Sequence, residues 1–226
     1  GSVGIGINGN IKSTIEYAKI NIHPGAVVRG TNGTSSNANT ADGPAIYAAG
    51  YAEWNISGGT ISGDEALSIK SGKFNITGGE FIATGEFQDP ATSWGNGTEA
   101  TGAAISITNN NSYAKNVTLN IEGGTFFSKN GYAVYESDTE SQSGSALSTE
   151  GISISGGSFK GAQDDDLFSK NDTNFVTKGE FNNPVDAKYL DNDLLFEVNN
   201  HGTYTYYDTF ENAFKAAENG AEIKGV

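Results

Sequence analysis

The sequence predicts an all-β chain: a parallel β-helix of about five to six turns over residues 1–182, then a small hairpin and helix over 183–226. Three observations carry that expectation. The string WNISGGTIS at 54–62 returns as FNITGGEFI at 74–82, LNIEGGTFF at 119–127 and ISISGGSFK at 152–160. In each copy apolar and polar residues alternate on both sides of a glycine pair, as in two short strands meeting at a corner. All copies run in one chain direction, so equivalent strands stack in parallel and bury together what no single turn can bury alone.

In chain order, INIHPGAVV at 20–28 fits the frame with Pro24 and Gly25 in place of the glycine pair, and KGEF at 178–181 is a worn last copy. An apolar pulse precedes each corner: Ala45 and Ile46, Leu67 and Ile69, Ile105 and Ile107, Val134, then Leu167 and Phe168. Each repeat is therefore expected to hold three strands, and the shortest, from Trp54 to Phe74, covers about 20 residues. The period of two puts Ile20, Trp54, Phe74, Leu119 and Ile152 in one interior column, and Ile22, Ile56, Ile76, Ile121 and Ile154 in the next. Past the corner, Val27, Ile61, Phe81, Phe126, Phe159 and Phe181 are expected to form a third. Asn21, Asn55, Asn75, Asn120 and Ser153 fall between these positions and are expected outside, as a polar ladder. The glycines have a backbone reason, since a tight corner needs dihedrals that a Cβ resists. A phosphate-cradling loop would need a helix after them, and a strand follows instead.

Further on, LLFEV and TYTYY within 194–207 read as a hairpin turning at Asn199, Asn200, His201 and Gly202. Asp208 to Ala217 reads as a helix with Asp208 as cap and Glu211 as its box partner. Phe210, Ala213, Phe214 and Ala217 mark its packed face, and Gly220 behind Asn219 ends it. This tail is expected to cover the open end of the coil, whose strand edges would otherwise stay unpaired.

Together these residues resemble a right-handed, single-stranded parallel β-helix of the pectate-lyase-like superfamily. More narrowly, they resemble the Gly-Gly-Thr-Phe type repeats of large bacterial surface proteins. The resemblance covers about residues 1–182, and the tail is similar to the segment that leads from such a coil towards another module. It implies a monomeric unit within a larger modular protein, secreted or at the bacterial cell surface. It does not decide activity, because the superfamily holds lyases, hydrolases, adhesins and passive stalks.

Composition narrows the partners. Lys and Arg number 13 against 27 Asp and Glu, a net charge of -14, with Arg29 the only arginine. Such a surface repels nucleic acid and anionic membranes. Without cysteine there is neither a disulfide nor a thiolate site. No apolar run approaches the roughly 18 residues of a membrane span, so no membrane insertion is expected. Beginning Gly1, Ser2 with no Met, the chain reads as a segment of something longer.

Chemistry-bearing residues divide into two groups. A lyase of this superfamily needs a basic residue beside calcium-binding carboxylates; Arg29 is far along the chain from the acidic cluster, and Lys70, Lys73 and Lys115 read as scattered solvated charge. A hydrolase would draw its carboxylates from Asp164, Asp165 and Asp166, with Asp164 and Asp166 on one side, although an acidic solubilising corner explains them as well. No obligate cofactor is expected. Ca2+ has oxygen ligands at Asp164, Asp166 and Asp172, and at Glu136, Asp138 and Glu140, without EF-hand spacing. His23 and His201 lie at opposite ends and read as surface residues.

Loop aromatics carry the binding expectation. Trp94 in DPATSWGNGTEATG and Tyr113 in NNNSYAKN stand outside the strand pattern, with Asn96 and Asn110 beside them. A sugar stacks on such rings while amides bond its hydroxyls. The leading reading is a non-enzymatic spacer with an adhesion or glycan-contact surface, for which a glycan or a host or cell-surface protein is the partner. The alternative is a polysaccharide hydrolase or lyase using Asp164, Asp165 and Asp166.

Overall fold

The structure is a computed structural model that describes residues 3–7, 18–30, 43–88, 92–93, 99–109, 116–138 and 144–226. The chain is mostly β and includes two long sheets. One sheet holds six short strands, Ile5–Ile7, Ile46–Ala48, Leu67–Ile69, Ile105–Thr108, Val134–Ser137 and Leu167–Ser169, all parallel. Their inward residues align as one column: Ile5, Ile46, Leu67, Ile105, Val134 and Leu167. These are the apolar pulses that precede each corner, joined by Ile5 at the start.

The other sheet holds eleven strands and corrects the expectation of three strands in every repeat. Glu53–Gly63 and Lys73–Ala83 each run unbroken through the glycine pair, so the corner there is a bend inside one strand. The second glycine of each pair makes that bend, with φ of +96° at Gly59, +112° at Gly79, +107° at Gly124 and +101° at Gly157. The first glycine supplies room: a Cβ on Gly156 would lie 2.2 Å from the carbonyl oxygen of Glu122 on the preceding turn. One glycine bends the chain and the other lets neighbouring turns close up.

Inside, like residues sit over like. Ile20, Trp54, Phe74, Leu119 and Ile152 pair in register, as do Ile22, Ile56, Ile76, Ile121 and Ile154, and Val176 extends the second column. The Phe81, Phe126, Phe159 and Phe181 rings stack at successive centroid distances of 4.8, 4.9 and 5.1 Å. Burial of each such side chain stabilises by roughly 1.5 to 3 kcal/mol. Val27 does not join this column. It is 60% exposed and pairs with Thr60, while Val28 is buried and pairs with Ile61. The cause is local: Ala26 N–H donates to His23 C=O across Pro24 and Gly25, and this turn takes one residue more than a glycine-pair bend.

Outside, the asparagines form the ladder expected of them. The Nδ2 of Asn55 donates to Asn21 Oδ1 at 3.3 Å, Asn75 to Asn55 at 3.1 Å and Asn120 to Asn75 at 3.2 Å. The outer face of the six-stranded sheet carries a second apolar cluster, in which Phe87 meets the edges of Tyr132 and Tyr135, and Tyr135 stacks on Phe168. Tyr135 is fully buried although its position faces outward.

The tail lies against the last turn. Strands Phe196–Asn200 and Thr203–Tyr207 form the hairpin, with His201 at φ 54° and Gly202 at φ 96° in its turn, and Glu222–Gly225 adds a third strand. Thr203–Tyr207 pairs antiparallel with Val176–Phe181, and the Tyr206 ring meets Phe181 edge-on at 6.0 Å. Tyr189 covers the other sheet's last strand: its hydroxyl donates to Ser169 C=O and accepts from Ser169 N–H.

The helix is shorter than its sequence pattern, Phe210–Ala216, and its cap is Thr209, not Asp208. Thr209 Oγ1 accepts from Asn212 N–H at 3.2 Å, while Asp208 accepts from the Asn212 side chain at 2.8 Å. Glu211 pairs with Lys215 instead of closing a capping box. Of the expected packed face only Ala213 is buried; Phe210 and Phe214 are 56% and 66% exposed. Seven residues give two turns, too few to turn the whole apolar stripe onto the hairpin.

Candidate functional site

Trp94, Asn96, Asn110 and Tyr113, which carry the binding expectation, lie outside the described residues, as do Lys115 and Glu140. The aspartate cluster is described, and it is not uniformly solvated. Asp164 is exposed while Asp166 is buried, so the two do not share a side.

Asp166 holds the turn after the coil's last strand. Its Oδ1 accepts from Gly161 N–H at 2.6 Å and from Asn183 Nδ2 at 3.0 Å; its Oδ2 accepts from Asn182 N–H at 2.5 Å and Asn183 N–H at 2.8 Å. Asp165 accepts from Leu167 N–H at 3.0 Å and, through its other oxygen, from Asp186 N–H at 2.9 Å. Burial pushes both carboxyls up, Asp165 to about 6, against the pull of these backbone donors. Every carboxylate oxygen of the pair is thus committed to the chain itself. What the arrangement does is fasten residues 182–186 to the coil.

The calcium candidates are similarly occupied. Glu136 is buried and accepts from Ser145, Ser169 and Asn171 side chains and from Lys170 and Asn171 N–H. Asp172 accepts from Ile152 N–H at 2.8 Å. Asp138 pairs with Lys170. Among the described residues no three His, Cys, Asp or Glu side chains gather as metal ligands.

Lys70 corrects its reading as solvated charge, because it is completely buried on the outer side of the six-stranded sheet and donates to Thr108 Oγ1. Close by, Glu65 is also buried; its Oε1 accepts from Thr101 N–H at 2.8 Å and Thr101 Oγ1 at 2.5 Å. Burial raises its pKa, and the Lys70 charge and the Thr101 hydrogen bonds pull it back. Lys70, Glu65, Ser68 and Ser106 present no exposed surface, so no ligand reaches them as they stand. Lys73, Arg29, His23 and His201 are exposed, as expected, and the Ser57 hydroxyl lies 3.4 Å from His23 Nδ1.

Among the described residues a concave surface lies elsewhere. A groove of about 470 Å³ crosses the glycine bends of the last three turns, and the tail strand forms one of its walls. Its floor is Gly123 and Gly124, Gly156 and Gly157, and Gly179; its sides include Glu122, Ser155, Ser158, Lys178 and Glu180; Thr205, Tyr206 and Tyr207 line it on the tail side. A smaller hollow of about 130 Å³ adjoins it, sharing Ser158 and Glu180. The volume of the main groove suits a small ligand or a short stretch of polymer.

The repeat itself contains the signal for these residues. Outward positions flanking each bend are fixed by the same alternation that places the core, and Lys178 stands where earlier copies have the first glycine. The wall from Thr205 to Tyr207 follows from strand alternation in the tail, but only once its docking edge is known. No protein-family model matches this chain, and neither a curated protein nor a solved structure does.

Proposed function

We propose that this chain is a non-enzymatic module of right-handed parallel β-helix architecture, secreted or displayed at a bacterial cell surface, that works as a rigid spacer bearing a contact surface for glycans or host proteins. The observation that carries the reading is the stacking of like residues from turn to turn, from the asparagine ladder to the phenylalanine stack. A body held by contacts repeated at every turn is stiff along its length, which is what a spacer requires. The net charge of -14 supports an exposed, well-solvated surface that avoids phosphate polymers and anionic lipid.

Use of Asp165 and Asp166 as structural acceptors supports this reading over a hydrolase, since every oxygen of both already accepts from a backbone N–H. The test has two arms on the whole chain: binding to a broad array of glycans and host surface proteins, and release of reducing sugar from the same polysaccharides. Selective binding without product is expected. Steady product formation that is lost in Asp165→Asn would overturn the proposal.

A further inference from the structure

The groove over the last three glycine bends has chemistry on its walls that the contact-module reading leaves unspecified. We infer that it receives the end of a neutral saccharide chain, an assignment that rests on that reading and names the ligand class and the place. Four observations lead there.

First, the floor is bare peptide, because Gly123, Gly124, Gly156, Gly157 and Gly179 carry no side chains. A ligand lying on it approaches backbone with no side chain between, and hydroxyl groups, which both donate and accept, suit such a surface. Second, the walls mix signs, with Glu122 and Glu180 against Lys178. Together with the surrounding charge of -14 this rejects a polyanion, and the ammonium weakens any pull on a cation. Polyols remain, since one hydroxyl serves a carboxylate and its neighbour an ammonium.

Third, Tyr207 stands at the tail wall, and its ring gives an apolar plane of the kind that sugar C–H faces stack upon. Fourth, the tail bounds the groove on one side. The strand Thr203–Tyr207 lies beside Val176–Phe181 and lines that side, whereas beyond the groove's other side further glycine bends follow at Gly78–Gly79 and Gly58–Gly59. Three bends at roughly 4.8 Å per turn give a run of roughly 10 Å, room for a disaccharide with its chain leading away up the coil.

A peptide strand fits less well. It gains affinity by adding to an unpaired sheet edge, and Leu147–Lys160 beneath the groove already pairs on both sides.

The test uses the whole chain with neutral trisaccharides of glucose, mannose and N-acetylglucosamine, trigalacturonate as an acidic control, and an alternating Thr/Val peptide. Binding is followed by saturation-transfer NMR and calorimetry for the parent, Tyr207→Ala and Glu180→Gln. At least one neutral trisaccharide should bind, trigalacturonate and the peptide should not, and Tyr207→Ala should weaken the affinity about tenfold. Glu180 is exposed on the groove wall, and Glu180→Gln keeps the shape of the side chain and should weaken the affinity several-fold, so a folding defect in the tyrosine variant leaves a second reading. Saccharide binding that survives both changes overturns the groove assignment and leaves the contact-module reading standing. Preference for the peptide or the uronate overturns the ligand class. Failure of every glycan and host protein to bind overturns both.

Discussion

Replacing Phe126 by alanine tests the column on which the architecture depends. The side chain is 1% exposed and lies between two rings, Phe81 at 4.8 Å with planes 19° apart and Phe159 at 4.9 Å with planes 9° apart. Removing a buried phenylalanine costs about 3 to 5 kcal/mol, the spread reflecting how far the surroundings collapse. Collapse is limited here, because both flanking rings sit on strands held by parallel ladders on the same backbone register. The loss should therefore fall near the top of that range, about 4 to 5 kcal/mol, including two stacked contacts of about 1 kcal/mol each. For a chain of 226 residues this is a fall in Tm of about 8 to 20 °C. The control is the adjacent residue: Phe127 is 37% exposed on the opposite face, and Phe127→Ala should cost less than about 1 kcal/mol. Calorimetric or fluorescence melts of both variants supply the comparison. Equal losses, or an Phe126→Ala melt that overlays the parent, would refute the inward phase of the strand.

Two further perturbations address the bends and the tail. Gly124→Ala and Gly25→Ala both force a Cβ onto positive φ, +107° and +87°, a strain of about 1 to 3 kcal/mol. Only at Gly124 does the added carbon also meet a neighbour, Gly79 C=O at 3.0 Å, whereas nothing lies within 4 Å at Gly25. Gly124→Ala should thus melt lower than Gly25→Ala, and the reverse order would remove close turn-to-turn approach as the reason for the pair. Burial raises the Asp165 carboxyl from 3.8 to about 6, so the folded chain holds that proton more tightly than the unfolded one. Its contribution to stability rises as pH falls through about 6 and levels off below the unfolded value. Melts at about pH 7 and about pH 5 should show a smaller acid gain in Asp165→Asn than in the parent. Equal gains would assign the pH dependence to other groups.

Much of the fold was legible because the repeat multiplies each weak signal. Ile56 alone fits a strand or a helix, but Ile56, Ile76, Ile121 and Ile154 in one frame fit only stacked strands, and they do stack. The errors fall where a single copy departs from the frame. Val27 failed because the Pro24–Gly25 turn adds a residue that the aligned strings conceal. Thr209 was passed over as a cap because Asp208 beside it has equal capping chemistry, and only backbone geometry separates them. Asp166 looked like surface charge because three consecutive aspartates read as solvated, whereas its partners, Asn182 and Asn183, arrive two strands later, from the turn after Val176–Phe181. Lys70 failed for a related reason. A lone lysine reads as solvated charge, and its burial depends on partners from elsewhere in the chain: it donates to Thr108, thirty-eight residues on.

The same reasoning explains why the candidate groove sits at one end of the coil. A stack of equivalent turns offers a ligand the same shallow glycine bend at every level, with nothing to fix where along the column it stops. Closure requires an element that breaks the repeat, and the tail strand Thr203–Tyr207 does so by pairing antiparallel to a parallel stack. Its other face buries Tyr206 against Phe181, with the Tyr206 hydroxyl donating to Glu197 and accepting from Val185 N–H. Burial and the nearby Glu197 charge hold that phenol well above its ordinary pKa, so the link stays protonated and intact across the pH range in which Asp165 titrates. Tyr207 is thereby held on the groove side by the alternation that sends Tyr206 inward. Capping the coil and closing the groove are two faces of one strand.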